Sequence, residues 1–498
     1  MTGLYRHFLA SLLSFAALTS AAAADRLEVP GTFSSIQDAL DAAQPGDVVE
    51  VADGRYFEKL VVPRSGLPGA PIVLRAADGA MPILDGTGVP GQFMILLQDV
   101  SHIRVIGLEL VNNLGLTDGS GVRILGAGTD LELRDLTIHA MRGDNAMGIT
   151  VYATRATPVR DVRILDNTIF DCDAAPSEAL TLNGNVDGFL IEGNTVRDIN
   201  NIGIDMIGGE TSIQPDPALV ARNGVVRGNT VLRANSIYGG GYAGGIYVDG
   251  GRDIVIENNR VEGSDLGLEV GAENAGLVAS GIIVRNNVLV RNERAGLVFG
   301  GYAASVGRAN DNVFRGNTLL ENNTVGVDGQ GRYFVGGGIA EIWMQYGARN
   351  VVRNNLVVAG PENIVVGSFD TGSSIDVDFD HNLYWSDDVA GAVFSLNGVG
   401  WEGFGAWRAA TGLDASSLVA DPLLIDRAGG DAHIQRASPA VDAGDPSFVP
   451  APLERDLDGR ARLEGGTVDI GADEIELEGL LFADGFETGD LTSWSSEP

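Results

Sequence analysis

The chain has 498 residues and carries 67 Asp and Glu against 33 Lys and Arg, a formal charge of −34. That balance excludes a protein that tracks nucleic-acid phosphates, which needs a basic footprint. A hydrophobic share of 44% and a mean hydropathy of +0.10 exclude a disordered acidic chain.

Residues 1–24 predict a secretory signal peptide and hence a secreted protein. Arg6 supplies the basic start, Phe8 to Leu18 the apolar run, and Ala22-Ala23-Ala24 the small-residue cleavage site. No later segment is apolar for long enough to predict a membrane span. Cys172 is the lone cysteine, so an oxidising compartment is met without an internal disulfide. Ser35 to Ala43 is a short amphipathic stretch, predicted to close the first coil of the repeat that follows. Such a cap is needed because an open coil end exposes unpaired strand edges.

The middle of the chain repeats. The unit is apolar-x-x-Asn-x-apolar, centred on Asn167, Asn194, Asn229, Asn259, Asn287, Asn317, Asn355 and Asn382. Each unit pairs short β-branched strands of period two with Gly/Asn/Asp corners and holds no helical period. A repeat near 28 residues built only from short strands predicts a parallel β-helix of about three strands per coil. The repeated Asn then stacks as an internal ladder, a structural role. The fold class is therefore all-β. The solenoid is placed at 25–385, a small β-rich packing segment at 386–477 and a polar tail at 478–498. Trp401, Phe404 and Trp407 are expected to pack on the last coil. The Asp-rich loops there (Asp442, Asp445, Asp456, Asp458, Asp469) suit either turns or Ca²⁺.

Aligning the second strand of successive coils places Arg123, Thr150, Thr181, Asp205, Asp249 and Glu269 in one outward row. Three carboxylates on neighbouring coils are unfavourable as mere surface, so they are the candidate catalytic group. In register, Asp249 and Glu269 would stand about 5 Å apart, the spacing of a retaining glycosidase. Asp205 would raise the proton affinity of the pair or orient a sugar hydroxyl. Insertions at consecutive coils are expected to wall a groove, with Tyr238, Tyr242 and Tyr247 as stacking surface. Further along, Glu341, Trp343, Gln345 and Tyr346 extend it. The predicted substrate-binding residues are Tyr247, Tyr242, Trp343 and Glu273.

Two resemblances sharpen this reading. SSIQDALDAAQPGDVVEVADGRY followed by SGLPGAPIVLRA resembles the N-terminal turns of the right-handed β-helix (pectin-lyase-like) superfamily, which includes polysaccharide lyases and glycosidases. GIYVDGGRDIVIENNRVEGSDLGLEV resembles the parallel β-helix β-xylosidases, whose motif has a G-I-W-L-D strand and then D-L-F-V-E-V. That resemblance implies a retaining glycoside hydrolase with Asp249 as nucleophile and Glu269 as acid/base. The match spans some 25 residues, and it departs where Tyr247 replaces the family Trp and Gly267 the Phe.

The residues leave other readings open. A Ca²⁺-dependent polysaccharide lyase or uronate epimerase would use Asp205, Asp249 and Glu269 as the metal site, with Glu210 or Glu273 completing it. It would need a Lys or Arg base. Lys59, the lone lysine, is in an early coil, which leaves Arg222, Arg252 or Arg294. A non-catalytic surface adhesin would need no carboxylate stack. The expected partner is a carbohydrate polymer or oligosaccharide; no cofactor is firmly implied, Ca²⁺ being the alternative.

Overall fold

The structure, a computed structural model, describes residues 24–237, 241–324 and 340–476. Residues 1–23 of the expected leader, Tyr238 and the expected tail at 478–498 lie outside the described residues. Three parallel sheets of 17, 13 and 13 strands form the walls of a right-handed parallel β-helix. The described residues hold two helices, Ile36–Ala42 and Phe404–Thr411.

The first helix is the expected cap. Ser35 adopts an extended backbone and its side chain accepts from Asp38 N, while Ile36, Ala39 and Leu40 are buried against the first coil. Residues facing inward along each wall join one continuous core from Val29 to Trp407. Alternate residues of the same strands face out, as period two demands.

The Asn ladder runs unbroken from Asn167 to Asn382. At each step the backbone N and Nδ2 of one Asn donate to Oδ1 of the next, at 2.9–3.1 Å. The residue immediately before each ladder Asn is left-handed: Asp166, Gly193, Gly228, Asn258, Asn286, Gly316, Asn354 and His381. These residue types are the ones that tolerate that backbone, which explains the D-N, G-N, N-N and H-N pairs of the repeat.

The C-terminal end of the coil is closed by aromatics. Trp407 is fully buried, stacks on Phe394 at 5.7 Å and donates from Nε1 to Asp414 at 2.8 Å. Asp414 also accepts from Asn382 Nδ2, so it terminates the ladder. Parallel pairing continues to Leu418–Val419.

From there the chain turns back. Leu424, Ile434, Ala440 and Ile470 cover Val288, Leu320, Leu356 and Leu383 on the flank. The segment therefore lies along several coils as well as on the last one. Buried Glu454 bridges Arg285 and Arg315 at 3.0 and 2.7 Å. Arg462 pairs with Glu474 and donates to Asn286 Oδ1 at 3.0 Å. Three of the Asp side chains open to Ca²⁺ are instead used within the protein. Asp442 accepts from Gly466 N and Thr467 N, Asp469 from Asp442 N and Ile475 N, and Asp445 pairs with Arg353.

Candidate active site

The wall that bears the carboxylates is the 13-stranded sheet running from Leu60–Val61 to Val399–Glu402. Its outward row reads Arg123, Thr150, Thr181, Asp205, Tyr247, Glu269, Val298 and Trp343. Tyr247, not Asp249, stands between Asp205 and Glu269. Asp249 lies two residues further along the strand, opposite Gly271. The expected register is thus corrected by two residues. Tyr247 and Asp249 face the same way, so a two-residue slip leaves the apolar pattern intact and invisible in the sequence.

The slip changes the spacing. One rung of ~4.8 Å combined with two residues of ~3.3 Å each puts adjacent-coil Cα atoms about 8 Å apart. That offset separates Asp249 from Asp205 on one side and from Glu269 on the other. The stacked spacing of about 5 Å on which a retaining pair was expected is absent for Asp249 and Glu269.

Loops from successive coils close a cleft of about 300 Å³ over this row. Its carboxylates are Glu178, Asp205, Glu210, Asp249 and Glu273, and Tyr152 and Tyr247 add aromatic wall. Glu178 precedes the strand Leu180–Gly184. Glu210 comes from the insertion after Ile204–Ile207, and Glu273 from the loop after Leu266–Gly271. Asn274 Nδ2 donates to Glu210 at 3.1 Å and ties the last two loops together. No Lys or Arg lines the cleft among the described residues.

Crowding and burial set the proton affinities. Loss of hydration, then Glu178 and Asp249, hold Asp205 well above the usual carboxylate range. Asp249 is raised by burial and then by Glu273, but the Glu273 N–H donates to its Oδ1 at 2.7 Å and favours the ionised form. Asp205 Oδ1 is buried and has no partner among the described residues. Burial lifts Glu178 to about 7. Glu269 is raised by burial and then by Glu273 and Asp249, and Glu273 by burial and then by Glu210.

The remaining predicted residues divide. Of Asp249 and Glu269, both expected to be exposed, Asp249 is 5% exposed at the cleft floor beside Asp205 at 2%, and Glu269 is half-buried. Glu269 belongs to the same outward row but is not part of the cleft lining, because the Tyr247 side chain separates it from Asp205. Tyr247 is itself buried, so it is a wall and not a stacking platform. Glu273 sits at the exposed rim.

Tyr242 and Trp343 form a separate aromatic patch two rungs beyond Glu269. Their rings are 6.2 Å apart, and the Arg294 guanidinium lies 4.6 Å over Tyr242. Glu341, expected along the groove, is fully buried. It accepts from Asn322 Nδ2 and Gly360 N and completes a second internal ladder through Asn292 and Asn322.

Asp205, Asp249 and Glu269 do not bring three ligand atoms within 4.8 Å of one another, so they are not assembled as a Ca²⁺ cage. Two of the arginines offered as a lyase base are engaged elsewhere, Arg222 with Asp187 and Asn185 and Arg294 on Tyr242. Sequence reasoning missed Glu178. Its letter is visible in EALTL, but only the closed coil shows that this loop overhangs the row.

The sequence profile described as "Right handed beta helix region" matches residues 217–383. The uncharacterized protein YwoF of Bacillus subtilis (strain 168) is 32% identical over 427 residues, covering 82% of this chain and 88% of that protein. Among solved structures, a Family 28 exopolygalacturonase from Yersinia enterocolitica superposes with a TM-score of 0.51 at 14% identity, over 72% of this chain and 75% of the other. A lacto-N-biosidase from Eubacterium ramulus superposes with a TM-score of 0.48 at 14% identity, over 71% of this chain and 60% of the other. At this identity the likeness to the exopolygalacturonase shows the fold alone.

Proposed function

This chain belongs to the YwoF family of right-handed parallel β-helix proteins, and from that premise we propose that it is a carbohydrate-active enzyme, a glycoside hydrolase acting on a neutral glycan. The observation that carries this reading is the pair Asp205 and Asp249, which share one cleft in unlike environments.

Hydrolysis of a glycosidic bond needs one protonated and one ionised carboxyl group. Asp205, buried and with one oxygen unpartnered, is the group that keeps its proton, and it serves as the general acid. Asp249 receives the Glu273 N–H, is the easier to ionise, and serves as the general base. Side chains leaving the same face from Cα atoms about 8 Å apart allow a carboxyl separation that leaves room for a water, about 6.5–9.5 Å. The reading is therefore of an inverting enzyme, in which Asp249 draws a proton from water while Asp205 protonates the leaving oxygen. Glu178 and Glu273 add negative potential that raises the proton affinity of Asp205. Tyr242 and Trp343 offer a sugar-stacking surface further along the same wall.

The acid lining and the charge of −34 disfavour a polyuronate. A solved structure of this fold is a carbohydrate-cleaving enzyme, which supports a carbohydrate substrate without choosing between neutral and acidic glycans. The leader at 1–24 supports export toward an extracellular polymer; N-terminal sequencing of the secreted form should begin at Asp25.

The test is a screen of neutral and acidic polysaccharides with and without EDTA. Release of reducing ends without a 4,5-unsaturated chromophore, unaffected by EDTA and with inversion at the anomeric carbon, supports the reading. Chromophore formation would replace it with a lyase, and inactivity on every glycan would favour a surface adhesin.

A further inference from the structure

The C-terminal segment carries a second cluster of chemistry, remote from the cleft in sequence. His433 Nδ1 hydrogen-bonds Asp431 Oδ1, and Asp431 also accepts the backbone N–H of His433 at 3.0 Å. An ionised carboxylate can only accept, so Nδ1 bears the hydrogen. The other ring nitrogen, Nε2, faces Asp458 Oδ1 at 3.1 Å. Asp473 brings a third ligand atom, and all three lie within 4.8 Å of one another. A proton on Nε2 satisfies that contact, and a divalent ion can take the proton's place between the same two atoms.

We propose that His433 Nε2, Asp458 and Asp473 bind one divalent transition-metal ion of the zinc class. Ligand atoms held about 2.0–2.2 Å from such an ion stand roughly 3–3.5 Å apart, the observed Nε2–Oδ1 spacing. A carboxylate on the far ring nitrogen is the arrangement that fixes a metal-binding imidazole, and Asp431 provides it. One imidazole with two carboxylates suits zinc or manganese better than calcium, which prefers six to eight oxygens.

Each carboxylate is oriented through one oxygen only. Asp458 Oδ2 pairs with Arg460 at 3.0 Å, and Asp473 Oδ2 accepts Ile434 N at 2.9 Å. Beside them Asp456 is fully buried, and its Oδ2 has no partner among the described residues. Asp458 is exposed, so an ion reaches the cluster from solvent. The three ligands come from three separate loops of the returning segment, so the ion would staple that segment together.

The experiment uses the full chain, stripped with EDTA and dialysed. Zinc titrated calorimetrically should show one site that His433→Ala abolishes and Asp249→Asn retains. The melting temperature should rise by several degrees with zinc in the wild type and not in His433→Ala. Asp431→Asn should weaken zinc about 10- to 100-fold without unfolding the chain. Should His433→Ala fail to fold, cobalt added to the wild type decides: visible d–d bands at one equivalent support the site. Absence of stoichiometric zinc uptake, unchanged uptake in a folded His433→Ala, or colourless cobalt addition would each overturn it.

Discussion

Asp205 and Asp249 carry the same functional group in the same cleft and differ by one hydrogen bond. In the proposed reading that bond, from the Glu273 N–H, divides them into acid and base, since it favours the ionised form of Asp249 alone while both are crowded by other carboxylates. Asp205→Asn and Asp249→Asn should each lower kcat by about 10²–10⁴, the usual worth of a general acid or base, measured on the glycan the screen identifies. Glu178 tests the electrostatics separately. Its folded proton affinity, about 7, lies above its ordinary value of 4.5. The folded state thus binds the proton more tightly than the unfolded state, and stability falls as pH rises from about 4.5 to 7. Glu178→Gln should therefore melt higher than the wild type at pH 7.5 and equally at pH 4, by calorimetry. An unchanged difference across that range would show that Glu178 does not titrate in this window.

At the scale of elements, the Asn ladder is what holds coil to coil at the corner. Asn229→Ala removes the acceptor of Asn194 N and Nδ2 and the donor to Ile191 O, all buried. With each orphaned group costing about 1–3 kcal/mol, a loss of roughly 3 kcal/mol or more is expected in urea unfolding. Most of this was legible. The Asn spacing, the corner residue before each Asn and the capping stretch near Ser35 are local signals, because backbone conformation and side chain are matched within two or three residues. The second ladder was not read. Asn292, Asn322 and Glu341 come from corners whose equivalence appears only when the coils are stacked, and Glu341 was read as a groove residue for that reason.

For the whole molecule, the returning segment binds the solenoid through a buried carboxylate between two arginines. Glu454→Ala leaves Arg315 without its carboxylate and Arg285 with Glu257 alone beside an apolar flank, and should cost about 3 kcal/mol, the lower end for breaking a buried pair. Limited proteolysis should then cut within 424–476 while the solenoid stays intact. Intact resistance would show that the apolar contacts alone hold the segment. At the opposite level of detail, Trp407→Ala should cost about 3–5 kcal/mol and leave the end of the coil open to strand pairing, detected as aggregation on light scattering.

The amino-acid order by itself determined the coil: period-two strands, left-handed corners and stacked asparagines are each specified within one repeat. It also determined which strands bear carboxylates. What only the closed structure decided was which carboxylates meet. Strand faces repeat every two residues, so a slip of two is silent in the pattern. It still moves Asp249 off the row and places Tyr247 between Asp205 and Glu269, while the closing of the coil brings Glu178 over the cleft. Register between coils is set by the summed packing of every rung, and a single strand does not contain it.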